Sequence, residues 1–223
     1  MAEASRHTVL ADAPPPPGGG PLAMGEVAYV EKVVLRGDPA DAAFVTAVRD
    51  GLGAAPPVEP FHVATGSDCH LLWQAWDTWL VRGPDGHTQA GPGAGAKFGG
   101  PLVGLLREAL ADVEHGSATD ISEAETIIRL AGDEARLVLS KGCPLDLHVR
   151  AFRPGEARRS LLAGADVTLR LLDGPGQDTF DIHVRRSFAA SLWRWLAQAG
   201  RAHGLGPLPP APAGPVRGEL GDS

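Results

Sequence analysis

Cysteine is scarce: the 223-residue chain has only Cys69 and Cys143, far apart. A disulfide-stapled secreted module needs more of them at close spacing, so the pair suits a reducing cytoplasm instead. Long apolar runs are missing too. No stretch approaches the roughly 18 uninterrupted apolar residues that span a bilayer. The opening MAEASRHTVLADAPPPPGGG carries acids and no apolar h-region, so it does not read as a secretory signal. Basic charge is in deficit, with 20 Lys and Arg against 27 Asp and Glu, a net charge of -7 and a pI near 5.6. That balance argues against nucleic acid as the main partner, because neutralising phosphates needs a basic face.

What is present is an ordinary globular composition, 43% hydrophobic and 21% charged. Two segments lack the periodic apolar residues that offset ordering entropy, and both are expected to be disordered tails. One is residues 1–23, with Pro14 to Pro17 and Gly18 to Gly20. The other is residues 205–223, with Pro207, Pro209, Pro210, Pro212 and Pro215.

Between the tails, helix and strand signals alternate. Val27 to Arg36 reads as a strand, and Asp38-Pro39 as the opening of a helix whose apolar face is Phe44, Val45, Val48 and Leu52, ended by Gly51 or Gly53. His70 to Trp73 and Thr78 to Arg82 read as strands around a turn near Asp77, the second closed by Gly83-Pro84-Asp85-Gly86. A helix over Pro101 to Ala111 should bury Leu102, Leu105, Leu106, Ala109 and Leu110. Glu125 to Leu130 reads as a strand. Asp133 to Lys141 follows as a helix, with Gly142 as a left-handed cap. Val167, Leu169 and Leu171 alternate with polar residues, as do Phe180, Ile182 and Val184, predicting two half-buried strands joined at Asp173-Gly174-Pro175-Gly176. The last helix starts at Ser187 and should bury Phe188, Leu192, Trp195, Leu196 and Ala199. The pattern predicts an α+β, two-layer, two-lobed architecture, with lobes at 24–113 and 114–204.

Chemistry is hard to find. The run Gly91-Pro92-Gly93-Ala94-Gly95-Ala96-Lys97-Phe98 lacks the glycine before the lysine and the hydroxyl after it that a phosphate loop needs, so it reads as a linker. Eight histidines are scattered with no HExxH or CxxC. Trp73, Trp76 and Trp79 could form a stacking platform, but strand alternation puts Trp73 and Trp79 on one face, as core or interface. Trp193 lies off the apolar face of the final helix, where a large aromatic suggests a partner contact.

The densest segment is Lys141 to Phe152. Cys143 with His148 could make a thiolate pair, although Pro144 fixes the backbone beside the thiol and a buried, inert cysteine is favoured. Asp146 and His148 could pair to fix the loop. Arg150, Arg153, Arg158 and Arg159 form a basic patch, either solvated or docked on an acidic partner. Interleaved apolar residues there resemble an interface rim, so Leu145, Asp146, His148, Arg150, Phe152 and Trp193 are the candidate partner-contact residues.

The segment Lys141-Gly142-Cys143-Pro144-Leu145-Asp146-Leu147-His148-Val149-Arg150-Ala151-Phe152 resembles one in the gamma-subunit family of heterotetrameric sarcosine oxidase, where Lys-Gly-Cys-x-Leu-Asp-Leu-His-Pro-x-x-Phe closes the middle helix. Val149 stands here in place of that proline. Leu35-Arg36-Gly37-Asp38-Pro39-Ala40-Asp41 and Ser187 to Leu196 are further family-like blocks, in the same order along the chain. The resemblance implies an aminomethyltransferase-like fold of ferredoxin-like α/β plaits. It also implies a non-catalytic subunit with no catalytic, cofactor or metal residues of its own, partnered by alpha, beta and delta subunits. FAD, FMN, NAD and tetrahydrofolate would be held by the larger chains and zinc by the delta chain. The assembly would oxidise sarcosine, pass the one-carbon unit to tetrahydrofolate and reduce oxygen to hydrogen peroxide. The competing reading is a free-standing folate-binding protein of the aminomethyltransferase or iron–sulfur maintenance type. That group continues Lys-Gly-Cys with Tyr-x-Gly-Gln-Glu, and Pro144-Leu145-Asp146-Leu147 departs from it.

Overall fold

The computed structural model describes residues 8–85, 100–174 and 176–208. The Gly-rich run at 91–98, the turn residues Gly86 and Pro175, and the prolines from Pro209 onward lie outside the described residues.

Two antiparallel-dominated sheets organise the chain. The five-stranded sheet has the order β3–β4–β5–β2–β6, formed by β2 (Lys32–Arg36), β3 (Val63–Thr65), β4 (His70–Ala75), β5 (Thr78–Arg82) and β6 (Ser117–Asp120). One of its faces is covered by α1 (Ala42–Leu52) and α2 (Pro101–Ala109). Phe44, Val48, Leu102 and Leu106 there pack on Val33, Leu35, Leu71, Trp79 and Val81. The six-stranded sheet has the order β11–β1–β7–β10–β9–β8, formed by β1 (Ala23–Val27), β7 (Glu125–Ala131), β8 (Ala157–Leu162), β9 (Ala165–Leu171), β10 (Thr179–Arg185) and β11 (Gly206–Pro207). It is backed by α3 (Ala135–Ser140) and α4 (Arg186–Gly200), whose Val138, Leu139, Leu192 and Leu196 meet Ile128, Leu130, Leu169, Phe180 and Ile182. Each fully buried side chain of this kind stabilises the fold by ~1.5–3 kcal/mol. Each lobe is thus one helical layer on one sheet, the two-layer α+β arrangement expected. The two bare sheet faces then meet each other, with Leu72, Leu80 and Ala157 touching between them.

Local signals operate with shifts of a residue or two. Asp41, not Asp38, caps α1: its Oδ1 accepts from Ala43 N at 2.8 Å, while Asp38 Oδ1 holds the preceding turn through Ala40 N. Gly53 ends the helix in the left-handed conformation at φ 78°, its N–H donating to Arg49 O. In α2, Val103 is buried and Leu105 exposed, a small rotation of the expected face. Gly142 is not a left-handed cap. A Cβ there would lie 2.5 Å from Trp195 Cζ2, so the position needs glycine for close approach. Lys141 reaches past its own helix, and its Nζ donates to Ala199 O at the end of α4.

Three larger expectations change. The strand read as Val27 to Arg36 is two strands in different sheets, separated by a turn where Tyr29 takes φ 58°. β-branched composition shows extended backbone, not which sheet receives it. The lobes also do not divide at 113: β1 joins the second sheet, while β6 pairs Leu35 with Ala118 in the first.

The ends, expected to be disordered, include ordered pieces. Gly18 N donates to Leu205 O and Gly20 N to Gly204 O, both at 2.8 Å, and β11 runs parallel to β1. A Cβ on Gly18 would meet Leu205 O at 2.4 Å, so the glycines permit main-chain pairing that no apolar periodicity announces. Leu10, Leu22 and Leu205 are buried in the larger core.

This order also overturns the reading of Trp193. It is 5% exposed, and its Nε1 donates to Pro14 O at 2.9 Å, so the N-terminal segment covers the face taken to await a partner. Correspondingly α4 buries Ala189, Leu192, Trp193, Leu196 and Gly200 and leaves Phe188 exposed. It starts straight from β10, with no side-chain cap from Ser187.

Trp193→Ala is therefore expected to lower chain stability by ~3–5 kcal/mol, and Trp193→Phe by only about 1 kcal/mol through the lost Pro14 bond. Urea unfolding followed by fluorescence checks both; equal stability of Trp193→Ala and the parent would contradict the placement.

Candidate functional site

The segment after α3 is built as a braced turn. Cys143 is buried in the larger core with its Sγ 3.8 Å from Ser160 Oγ, and among the described residues no histidine lies in hydrogen-bond contact with it. Arg136 fixes the loop: its Nη1 donates to Leu147 O at 2.6 Å and Phe152 O at 3.0 Å, while Nε and Nη2 grip Asp178. Phe152, expected at a partner contact, is 0% exposed and stacks edge-on to Phe180 with ring centres 5.6 Å apart. It is a core residue because Arg136 turns the chain inward at this point. Asp146 and His148 do not form an ion pair. Asp146 Oδ1 accepts from His148 N at 2.9 Å, and His148 Nδ1 accepts from Arg150 N at 3.2 Å. The result is an outward turn with Leu145 half-buried and Asp146, His148, Val149 and Arg150 exposed.

The basic patch divides. Arg158 lies over the Phe61 ring at 4.4 Å and the Phe152 ring at 5.0 Å, donating to Glu156 and Ala151 O. Arg159 pairs with Asp166 at 2.5 Å, whereas Arg150 and Arg153 stay exposed. Trp73 and Trp79 follow the core reading: Trp73 sits opposite Trp79 in register, and Trp79 packs on Phe44 and donates to Pro57 O at 2.7 Å. Trp76 caps the hairpin, 69% exposed.

A second locus was not legible in the sequence. Strand alternation assigned Thr168, Arg170, Asp181 and His183 to an outer face, but all four are buried between the sheets. Asp181, 0% exposed, accepts from Arg129 Nε at 2.7 Å and Nη2 at 2.9 Å, with Arg82 of the other sheet 3.9 Å away. Asp85, just after β5, closes the ring onto Arg82 at 2.5 Å and Arg129 at 2.7 Å. Burial opposes the charges on Arg129 and Asp85, but hydrogen bonds to Asp181 and then Asp85 outweigh it at Arg129 and raise its pKa, while hydrogen bonds from Arg129 and Arg82 outweigh it at Asp85 and lower the carboxyl's. Burial lowers Lys32 to about 8 and Arg170 to about 10. Burial, reinforced by Arg82, Lys32, Arg170 and Arg129, holds His183 well below the usual histidine range, so its ring is neutral.

Beside this network the sheets part around a cavity of about 370 Å³, lined among others by Arg36, Gln74, Glu125, Thr168, His183 and Arg185. Thr168 Oγ1 donates to Gln74 Oε1 at 3.2 Å across the gap. Among the described residues, no group of three or more His, Cys, Asp or Glu is placed to hold a metal ion, and no helix is long and apolar enough to cross a membrane. The cleft can hold and orient a polar molecule.

Two helix-backed sheets meeting face to face define a two-lobed α+β protein whose braced turn keeps its cysteine in the core. Comparison with known proteins gives this class its particular member. The family model for the sarcosine oxidase gamma subunit matches residues 36–202, and the chain belongs to that family. It is 32% identical to the sarcosine oxidase subunit gamma of Corynebacterium sp. (strain P-1) over 181 residues, 81% of this chain and 80% of that one. Among solved structures it superposes on a chain of the heterotetrameric sarcosine oxidase of Corynebacterium sp. U-96, in complex with pyrrole 2-carboxylate. The TM-score is 0.74 at 26% identity, covering 92% of this chain and 99% of that one. The glycine cleavage aminomethyltransferase T of Bartonella henselae shares the fold at 14% identity and TM-score 0.60, covering 83% of this chain and 47% of that one.

Asp181→Ala would leave Arg82 and Arg129 sharing Asp85 alone, two buried cations against one half-exposed carboxylate, and is expected to cost ~3–5 kcal/mol. His183 supplies a pH signature. The unfolded ring takes up a proton as pH falls below about 6.5, and the buried ring resists it. Stability is full above that value and declines as pH drops. His183→Leu should flatten this acid limb between about pH 6.5 and 5, measured by urea midpoints across pH; an unchanged slope would show that another group carries it.

Proposed function

We propose that the chain is the non-catalytic gamma subunit of a cytoplasmic heterotetrameric sarcosine oxidase, docked on alpha, beta and delta subunits. The assembly converts sarcosine to glycine, transfers the one-carbon unit to tetrahydrofolate and produces hydrogen peroxide. FAD, FMN, NAD and tetrahydrofolate belong to the larger chains and zinc to the delta chain. The observation that carries this reading is the family match over residues 36–202, joined to a structural likeness that spans nearly the whole of a chain from such a heterotetramer.

Within it, the outward turn of Leu145, Asp146, His148 and Arg150 is the proposed contact with a larger chain. Its backbone is held by Arg136, Asp146 and His148, so its exposed side chains are presented with little further loss of conformational freedom on docking. Phe152 and Trp193 act behind the surface, as supports. Cys143 packs and does not react.

Replacing Arg150 with glutamate is expected to weaken co-assembly at least about tenfold while leaving the unfolding midpoint nearly unchanged, because Arg150 joins the bracing of the turn only through its backbone N–H. Sedimentation of the co-expressed chains checks this, and undiminished assembly would remove the turn from the interface. Cys143→Ser should retain nearly full activity of the assembled oxidase. The purified chain should bind neither flavin nor folate. Micromolar folate binding by the lone chain would favour a free-standing folate-binding protein of the aminomethyltransferase type.

A further inference from the structure

The cavity between the sheets carries buried polar atoms that the folded chain does not satisfy. His183 is 2% exposed, and neither ring nitrogen has a hydrogen-bond partner. Gln74 Nε2 and Glu125 Oε2 are likewise buried and unpartnered, although Gln74 Oε1 is engaged by Thr168. Buried polar groups are rarely left this way, since each loses its bonds to water without compensation. These groups line one cavity. A neutral imidazole offers one donor and one acceptor, the amide offers donors, and the carboxylate offers an acceptor.

Register brings them together. Glu125 pairs with Arg185 across β7 and β10, and His183 pairs with Thr168 across β10 and β9 one row further in. Rows on one face of a strand lie about 7 Å apart, within the span of a small molecule. Nearer the mouth, Arg36 and Arg185 are exposed, and neither forms an ion pair among the described residues. The charges select the ligand's class. A simple anion entering this cavity meets Glu125 and Asp166, and a simple cation meets Arg36, Arg159 and Arg185.

We propose that this cavity is a binding site for an amino-acid-type ligand, a small molecule with a carboxylate and an N–H group on neighbouring atoms. Glu125 and His183 receive its N–H groups, and Gln74 with Arg36 and Arg185 receives its carboxylate. The volume, about 370 Å³, accommodates such a molecule with bridging water. Because its walls come from both sheets, occupancy fastens the two lobes together. The site is separate from the outward turn, so its failure would leave the subunit reading intact.

The test uses the full chain, titrated calorimetrically with glycine, N-methylglycine and pyrrole 2-carboxylate, and with acetate and methylammonium as half-ligands. At least one of the first three should bind saturably, with each half-ligand at least about tenfold weaker. Gln74→Leu and Glu125→Gln should each weaken that binding by a similar factor, with circular dichroism confirming the fold. The His183 ring nitrogens, followed by ¹⁵N NMR in the unmutated chain, should shift on saturation, a readout that does not depend on any variant folding. If none of the three binds at high millimolar concentration and the ring signals stay still, the cavity holds water only and the proposal fails. Acetate binding as tightly as glycine, or binding indifferent to both substitutions, also overturns it.

Discussion

The fold depends on an ionic ring closed across the gap between its two sheets. Arg129 and Asp181 belong to neighbouring strands of the six-stranded sheet, and Arg82 and Asp85 to the end of β5 in the other. Such a network gives little net stability over a well-packed apolar contact, because four charges lose much of their hydration. What it supplies is a defined alignment: sliding one sheet on the other by a single strand spacing would leave at least one buried charge alone. The apolar faces could not supply this, since each is already covered by its own pair of helices.

This constraint explains why the interior of the molecule is unusually polar. With both apolar faces committed to helices, the remaining faces bring Lys32, Arg82, Thr168, Arg170, Asp181 and His183 under cover together. Within the ring, opposite charges are matched. Further along, toward Glu125 and Arg185, the sheets diverge and a cavity takes the place of direct pairing. A polar cleft between the sheets follows from the same geometry that aligns the lobes.

The exterior is organised around the other sheet. Arg136 joins Asp178 to the carbonyls of Leu147 and Phe152, so the segment after α3 is a rigid turn rather than a loose loop. Its buried members, Cys143, Leu147 and Phe152, anchor it, and its exposed members face away. The N-terminal segment closes over Trp193, and its glycines bond to Gly204 and Leu205 beside the edge strand β11.

Much of this was legible in the sequence. Periodic apolar residues marked α1, α2, β7, β9, β10 and α4 to within a few residues, because burial against a helix or sheet imposes spacings of 3.6 or 2. The Lys141 to Phe152 segment and its companion blocks pointed to the family by residue identity. The tertiary structure alone decided the rest. Alternation along β9 and β10 shows that the two faces differ, but not whether the polar one meets water or a second polar sheet, as Thr168, Arg170, Asp181 and His183 do. Trp193 and Phe152 could not be placed because their neighbours, Pro14 and Phe180, are distant in sequence. Order in the N-terminal glycines comes from main-chain hydrogen bonds, to which side-chain patterns are blind.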